Sequence, residues 1–205
     1  MIYLLRHGQT LWNREGRIQG HRDSPLTRTG LAQAEAMGRA LNAEIGDPRP
    51  WAMVASPLGR AWQTAVIVAE VLGLNPRGIE HEACLAEMGF GAWEGRTYDE
   101  IDEAEPGVLA RRESDKWHFR PPGGESYADL SVRVAPWVAA LEDWARLIVV
   151  CHGGTGRVLR GRYAGLAPTA AMALPEPQDA LYRLHHGRIE AIGTGFEDAA
   201  AGRAP

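Results

Sequence analysis

Cysteine, lysine and long hydrophobic runs are scarce or missing in this sequence. Its 205 residues include two cysteines, Cys84 and Cys151, which sit in apolar stretches and fit no spacing of metal ligands. No stretch approaches the roughly 20 apolar residues that a membrane-spanning helix needs. The chain opens on a strand-like run without the charged start and cleavage site of a signal peptide, so we expect a reduced, cytoplasmic location.

Basic residues are fewer than acidic residues and form no cluster in the sequence. Lys116 is the only lysine, and 22 basic residues stand against 26 acidic ones, which gives a net charge of −4. Because no basic cluster is present, we expect neither a nucleic acid nor a membrane surface as partner. The length and the 45% hydrophobic content predict a single domain over residues 1–205, with a frayed tail at about 197–205. The oligomeric state stays open.

Strand-like runs alternate with segments of helical periodicity along the chain. This alternation predicts an α/β domain with a largely parallel sheet and room for one antiparallel strand. The last two runs flank His185-His186-Gly187, which indicates a hairpin. The predicted strands are Met1–Leu5, Trp51–Ala55, Gly78–Glu82, Leu147–Cys151, Ala180–Leu184 and Arg188–Ile192.

Capping residues mark several helix boundaries. Apolar spacing predicts a helix over Thr29–Ile45. Ser56 followed by Pro57 is typical of an N-cap and a first helical proline, and it predicts a helix that runs to about Leu72. A longer amphipathic helix is predicted over Ser126–Trp144.

The segment from about residue 96 to 122 fits no strand. Thr97 and Glu100 have capping-box spacing and predict a helix start within it. We therefore expect a helical insertion that forms a lid above the carboxyl edge of the sheet.

The first predicted strand ends in Arg6-His7-Gly8. Open α/β sheets bind ligands at the carboxyl ends of their strands, so this motif delivers a cation and an imidazole to the expected ligand crevice. Gly8 allows a sharp turn that leaves His7 unshielded.

Three further clusters carry side chains suited to phosphoryl chemistry, namely Ser56 to Thr64 with Arg60, Leu85 to Gly95 with Glu87, and Cys151-His152-Gly153-Gly154. Phosphoryl transfer through histidine needs a neutral imidazole as nucleophile, guanidinium groups around the phosphoryl oxygens and an acid for the leaving group. His7 fits the nucleophile and Glu87 the acid. Arg6, Arg60 and a protonated His152 fit the cationic clamp.

We expect two helix starts to supply backbone N–H donors to a bound phosphoryl group. One follows Ser56, and the other follows His152 and begins at Gly153. Since arginine supplies the charge that Mg²⁺ supplies elsewhere, no metal and no cofactor are expected.

In their order and residues, these four motifs resemble the histidine phosphatase (phosphoglycerate mutase-like) superfamily, from Met1 to about Gly165. The resemblance implies a three-layer α/β/α sandwich, a phosphohistidine on His7, and Glu87 as proton donor. It also implies phosphate contacts from Arg6, Arg60 and His152, with Asn13 and Gln19 as further residues of the phosphate pocket. The implied partner is a small phosphorylated substrate.

Both phosphatases and cofactor-dependent mutases use this core. Trp93-Glu94-Gly95 and Pro122-Gly123-Gly124-Glu125-Ser126 resemble the phosphatase branch, and Tyr98 stands where mutases carry a carboxylate-binding lysine. The pair Arg111-Arg112 resembles a mutase feature. We therefore rank a metal-independent phosphomonoesterase first and a phosphoglycerate mutase second.

A third possibility is a catalytically silent phosphate-sensing or interaction domain. It ranks last because His7, Arg60, Glu87 and His152 are all present. The sequence does not name the physiological substrate. Outside the four motifs, we interpret Glu94 as a structural hydrogen-bond acceptor and Cys151 as an inert buried thiol.

Overall fold

A single sheet of six strands organises the computed structural model, which describes residues 1–141 and 146–196. The strands are β1 (Ile2–Arg6), β2 (Ala52–Ala55), β3 (Glu80–His81), β4 (Leu147–Cys151), β5 (Ala180–His185) and β6 (Arg188–Gly193). They are ordered β3-β2-β4-β1-β5-β6. The strands from β3 to β1 run parallel, and β5 is antiparallel to both neighbours, as the sequence predicts.

The β1–β4 pair forms the centre of the sheet and is buried on both faces. In its parallel register Leu4 pairs with Val149 and Leu5 with Val150. Successive side chains of a strand point to opposite faces. Leu5 and Val150 therefore lie in one core cluster and Leu4 and Val149 in another.

Helices cover both faces and complete a three-layer α/β/α arrangement, which confirms the fold class. Met37 and Leu72 contribute to the first cluster, and Leu159 and Trp137 pack in the second. The helices are α1 (Leu11–Arg14), α2 (Arg28–Ile45), α3 (Gly59–Leu72), α4 (Tyr98–Ala104), α5 (Val108–Ser114), α6 (Tyr127–Ala139), α7 (Gly153–Tyr163) and α8 (Pro168–Met172). Short 3₁₀ helices occupy Pro76–Gly78, Ala83–Leu85 and Gly91–Trp93.

The predicted start of α3 is wrong. Its N-cap is Leu58, and the helix begins at Gly59. Ser56 is still part of the sheet edge, because its N–H donates to the Val150 carbonyl at 2.9 Å. The predicted end is confirmed, since Gly73 follows Leu72 in the left-handed conformation with φ of 70°.

Helix α6 is shorter than its amphipathic pattern predicts. Ser126 caps its start with the Asp129 side chain in a capping box, and the helix ends at Ala139 with Ala140 as C-cap. The predicted continuation as far as Trp144 falls on residues 142–145, outside the described residues, and the tail at 197–205 does so as well.

The segment between residues 96 and 122 is helical, as predicted. Thr97 forms the expected capping box with Glu100 at the start of α4. Ile101 and Val108 are buried and share a small core cluster with Ile18 and Trp93. Thr97 also makes an isolated antiparallel β-bridge with Arg17.

The turn between β5 and β6 is the predicted hairpin. His185 pairs with Arg188, so His186 and Gly187 form a two-residue turn. Both have positive φ, 48° and 71°, which is typical of hairpin turns.

Within 1–141 and 146–196, every helix falls short of the length or the apolar character needed to cross a bilayer.

Candidate active site

The motif side chains meet at the carboxyl edge of the sheet, around a cavity of about 270 Å³. β1 delivers Arg6 and His7, and the first turn of α3 delivers Arg60. Of the predicted site residues, the cavity is lined by Arg6, His7, Asn13, Gln19, Arg60 and Glu87. His152 lies behind this wall, with its ring centroid 5.2 Å from that of His7.

His7 is held in a single tautomer. Its side chain is buried, and Nδ1 lies 2.8 Å from the Gly8 carbonyl oxygen. A carbonyl only accepts hydrogen bonds, so Nδ1 carries the proton and Nε2 keeps its lone pair. The Arg60 Nε–H donates to this Nε2 at 3.3 Å. Burial and the charges of Arg60 and Arg6 hold the pKa of His7 well below its ordinary value, which keeps the imidazole neutral.

His152 is equally buried and forms a hydrogen bond between Nε2 and Ser56 Oγ at 2.7 Å. Its Nδ1 has no partner among the described residues. Burial, followed by the charges of Arg60, His7 and Arg6, holds the pKa of His152 well below its ordinary value. We expected a protonated His152, whereas this environment favours the neutral ring and leaves the arginines as the cations of the site.

The Arg60 guanidinium is fixed on several sides. Nη2 donates to the Gly20 carbonyl at 2.8 Å, and Nη1 donates to the Arg22 carbonyl at 2.8 Å. Nη1 also forms an ion pair with Asp23 Oδ1 at 2.7 Å. Because every terminal nitrogen is engaged, the group is held in one orientation beside His7.

Arg6 has fewer partners. Its Nη1 donates to the Glu176 carbonyl oxygen, and its Nε is buried without a hydrogen-bond partner. Among the described residues, no carboxylate lies within ion-pair distance of Arg6. A buried unsatisfied donor is rare, so this guanidinium is suited to a polar or anionic group in the cavity.

Glu87 reaches the cavity from the loop after β3, and α7 fixes its carboxylate. Oε1 accepts from the Thr155 N–H at 3.0 Å, the Thr155 hydroxyl at 3.1 Å and the Met88 N–H at 2.9 Å. Oε2 accepts from one donor, the Gly154 N–H at 3.2 Å. Oε2 is therefore the oxygen with capacity left for a proton.

The two helix starts near the site differ from the expectation. Asp23 takes the first amides of α3, accepting from Gly59 N at 2.6 Å and from Arg60 N at 3.4 Å. At α7 the amides of Gly154 and Thr155 bind Glu87. The Gly153 N–H is left without an acceptor in the described part of the chain, but Gly153 is buried and does not line the cavity.

Two residues of the site carry no motif that sequence reasoning detects. Gln178, on the loop between α8 and β5, donates from Nε2 to the His7 carbonyl and to Asn13 Oδ1, both at 3.2 Å. Glu176, two residues before it, is mostly buried and forms an ion pair with Arg157 Nη1 at 3.1 Å. Burial raises the pKa of Glu176. Only the fold brings this late segment to the end of β1.

Gln178 and Thr10 together fix which atom Asn13 presents to the cavity. Asn13 Oδ1 accepts from the Thr10 N–H at 3.1 Å and the Thr10 hydroxyl at 3.1 Å, in addition to Gln178. Three donors on Oδ1 leave the Nδ2 amide group of Asn13 for the cavity. Gln19, the other expected pocket residue, lines the cavity and accepts from Ser24 Oγ at 3.3 Å.

Two sequence interpretations outside the clamp are confirmed. Glu94 Oε1 accepts from the His21 N–H and the Phe90 N–H, both at 3.0 Å, which is a structural role. Cys151 is fully buried, and burial raises the pKa of its thiol to about 12, so the thiolate is disfavoured.

Within 1–141 and 146–196, no group of three or more His, Cys, Asp and Glu side chains is arranged to hold an ion.

The chain is similar to a known family and to a curated protein over almost its whole length. A model of the histidine phosphatase superfamily (branch 1) matches residues 2–191. A Salmonella paratyphi C (strain RKS4594) protein named "Probable phosphoglycerate mutase GpmB" is 33% identical over 204 residues, which cover 98% of this chain and 92% of that protein.

Two solved structures share the fold over nearly their whole length. A mycobacterial glucosyl-3-phosphoglycerate phosphatase in complex with VO3 has a TM-score of 0.74 at 32% identity, covering 94% of this chain and 96% of that chain. The alpha-ribazole phosphatase from Shigella flexneri has a TM-score of 0.77 at 25% identity, covering 94% of both chains.

Proposed function

Since the chain belongs to the histidine phosphatase superfamily, we propose that it is a metal-independent phosphomonoester hydrolase that acts through a phosphohistidine on His7. The observation that carries the proposal is the His7 tautomer. Its Nε2 lone pair lies in a buried site, 3.3 Å from the Arg60 Nε, while Nδ1 is held by the Gly8 carbonyl.

In the first half-reaction, His7 Nε2 forms a bond to phosphorus as the bond to the ester oxygen breaks. Arg6 and Arg60 stabilise the charge on the phosphoryl oxygens, and Glu87 Oε2 gives its proton to the departing alkoxide. Asn13 Nδ2 is a further donor to the phosphoryl group. A dianionic phosphoryl group next to His152 favours the protonated ring, so the clamp gains charge when substrate is bound.

In the second half-reaction, water attacks phosphorus and the N–P bond breaks. Glu87 takes a proton from this water, and inorganic phosphate leaves with His7 neutral again. Glu87 thus regains in the second step the proton that it gave away in the first, so the protons balance over the cycle.

A mutase is the second candidate, because the curated relative at 33% identity carries a mutase name. The hydrolase is preferred because the two solved relatives are phosphatases and Tyr98 stands where a carboxylate-binding lysine is expected. A mutase would interconvert 2- and 3-phosphoglycerate rapidly, would depend on a bisphosphorylated primer and would release little phosphate.

The test is phosphate release from alkyl and aryl phosphates by the wild type and by Glu87→Gln. We expect Glu87→Gln to lose about 10²–10⁴-fold on alkyl phosphates, the range of acid–base catalysis, but far less on p-nitrophenyl phosphate, whose phenolate departs without a proton. Activity is expected to survive EDTA.

Glu94→Gln is the matched control. It changes a carboxylate that accepts from two backbone amides and pairs with the exposed Arg22, and that does not line the cavity, so it should keep the wild-type response to the leaving group. Equal losses of Glu87→Gln on both esters would contradict the acid role. Loss on chelation that Mg²⁺ or Zn²⁺ restores would contradict metal independence.

A further inference from the structure

One part of the cavity wall is built from other elements than the part around His7. Its lining residues come from the loop after α1, from the loop that carries Glu87, and from the start of α4. We call this part the outer cavity, and it is formed by Gly16, Arg17, Ile18, Phe90 and Tyr98. In a phosphomonoesterase this part faces the alcohol portion of the substrate.

The one cation that lines the outer cavity is already matched by acidic partners. Arg17 Nη1 lies 3.1 and 3.0 Å from the two carboxylate oxygens of Glu100 and donates to the Gly95 carbonyl at 2.8 Å. Its Nε lies 3.4 Å from Glu15 Oε2. Arg96 also donates to the Glu100 carbonyl oxygen, so two guanidinium groups stand beside the two carboxylates and their charges balance. Because its arginine is already paired, the outer cavity lining offers no free cation to a second negative charge on the substrate.

The pair Arg111-Arg112 does not change this balance. Arg111 is exposed and forms an ion pair with Glu105. Arg112 is buried and forms an ion pair with Glu113, and its guanidinium lies 5.7 Å from the centroid of the Tyr98 ring. Neither lines the cavity, so Arg112 supports Tyr98 rather than offering a charge to a substrate.

The remaining walls are apolar or aromatic. Phe90 and Tyr98 present rings, and Ile18 and Gly16 add a small apolar surface. At about 270 Å³ the whole cavity lies at the lower end of small-molecule sites. Once a phosphoryl group occupies the inner end, the remaining space suits one ring better than a long chain.

We infer that the outer cavity selects phosphomonoesters whose alcohol is an uncharged ring, and that it discriminates against alcohols that carry a carboxylate or a second phosphate. This inference rests on the proposed hydrolase function. The ion pairing of Arg17 with Glu100 and Glu15 sets the charge preference, and the rings of Phe90 and Tyr98 set the shape preference.

The experiment compares 4-carbamoylphenyl phosphate with 4-carboxyphenyl phosphate, two esters of almost the same shape that differ in one negative charge. For the wild type we expect kcat/KM to favour the carbamoyl ester by about tenfold, the order of one charge interaction across a partly solvated site. Glu100→Gln should reduce this ratio to about threefold or less, by raising turnover of the carboxylate ester. A glutamine also serves the capping box with Thr97, so α4 keeps its start.

Glu105→Gln is the matched control. It breaks the exposed pair with Arg111 outside the cavity and should leave the ratio at the wild-type value. A wild-type ratio near one, or a ratio that Glu100→Gln does not change, would overturn the charge preference while the hydrolase stands. Failure of the wild type to release phosphate from either ester would overturn the hydrolase and this inference with it.

Discussion

The inner and outer parts of the cavity differ in whether they keep an arginine that has no carboxylate partner, because Arg60 of the inner part pairs with Asp23 but Arg6 does not pair with a carboxylate among the described residues. In the inner part, Arg6 donates to a carbonyl and keeps a buried Nε without a partner. In the outer part, Arg17 contacts both Glu100 and Glu15. The inner part is therefore ready for an anion, and the outer part is not.

This difference separates the chemistry from the choice of substrate. Arg6, His7 and Arg60, which would act on the phosphoryl group, follow a strand end and a helix start, whose positions the sheet determines. The outer walls come from loops and from α4, which pack through a separate small cluster around Ile18 and Trp93. The same inner part can therefore serve many alcohols, and the outer part decides among them.

The strongest test of the comparison replaces one arginine of each part. Arg60→Ala should lower kcat/KM by about 10²–10³-fold, the cost of losing one donor to a developing charge. Arg60→Lys should recover little, because an ammonium group cannot span Gly20, Arg22 and Asp23 at once. Arg17→Ala should cost less than about tenfold on an uncharged aryl phosphate. Equal losses of kcat/KM for Arg60→Ala and Arg17→Ala would show that the inner and outer parts of the cavity do not differ in this way.

The inner histidines predict a dependence of stability on pH. Their pKa values are lowered in the folded protein, so between these values and about 6.5 the unfolded chain binds protons that the folded chain does not. Stability is therefore highest above about pH 6.5 and falls as the pH drops below it, by at most about 1.4 kcal/mol per pH unit for each imidazole.

Urea unfolding at pH 7, 6 and 5 measures this loss of stability. The same series is then repeated in the presence of inorganic phosphate. Bound phosphate favours a protonated His152, so it should make the decline shallower. His152→Gln is measured in the same way as the control. If the stability of the wild type is flat or rises as the pH falls from 7 to 5, His7 and His152 are not a buried pair of neutral imidazoles.

A smaller effect is expected at Gln178, which touches the inner part only through other residues. Gln178→Met removes the donor to Asn13 and to His7 while it keeps the length of the side chain. One such hydrogen bond is worth about 0.5–1.5 kcal/mol, so vanadate affinity should fall by roughly 2- to 12-fold.

A double-mutant cycle separates positioning from general loss of structure. In an Asn13→Ala background, Gln178→Met should cost much less, because the amide that Gln178 orients is gone. Gln33→Met is the control, since the Gln9 N–H, at 2.8 Å, is the one hydrogen-bond partner of the Gln33 side chain among the described residues. Additive losses in the cycle would make Gln178 a purely structural residue.

Much of the fold could be predicted from local patterns. The continuous run Leu147–Cys151 and the helix that ends at Ile45 agree with the structure, because apolar periodicity and turn residues act locally. The start of α3 could not be predicted in this way. Ser56 has the composition of an N-cap, but its backbone continues the pairing with β4.

In the candidate site too, residues with a local motif could be predicted, and residues that only the fold brings there could not. Arg6, His7 and Arg60 are predictable because their motifs lie at the ends of strands and at the start of a helix. Gln178 and Glu176 are not, because they follow a short helix without a motif and reach the site only when β5 pairs with β1. The neutral state of His152 also follows from burial, which no motif encodes.

The central claim is a covalent bond between His7 and phosphorus, and trapping that bond tests it most directly. The wild type is mixed with a ³²P-labelled aryl phosphate, quenched within one turnover and digested, and the labelled peptide is mapped. We expect an acid-labile, alkali-stable adduct on His7 that is absent from His7→Gln. An adduct on His152, or one that persists in His7→Gln, would contradict it.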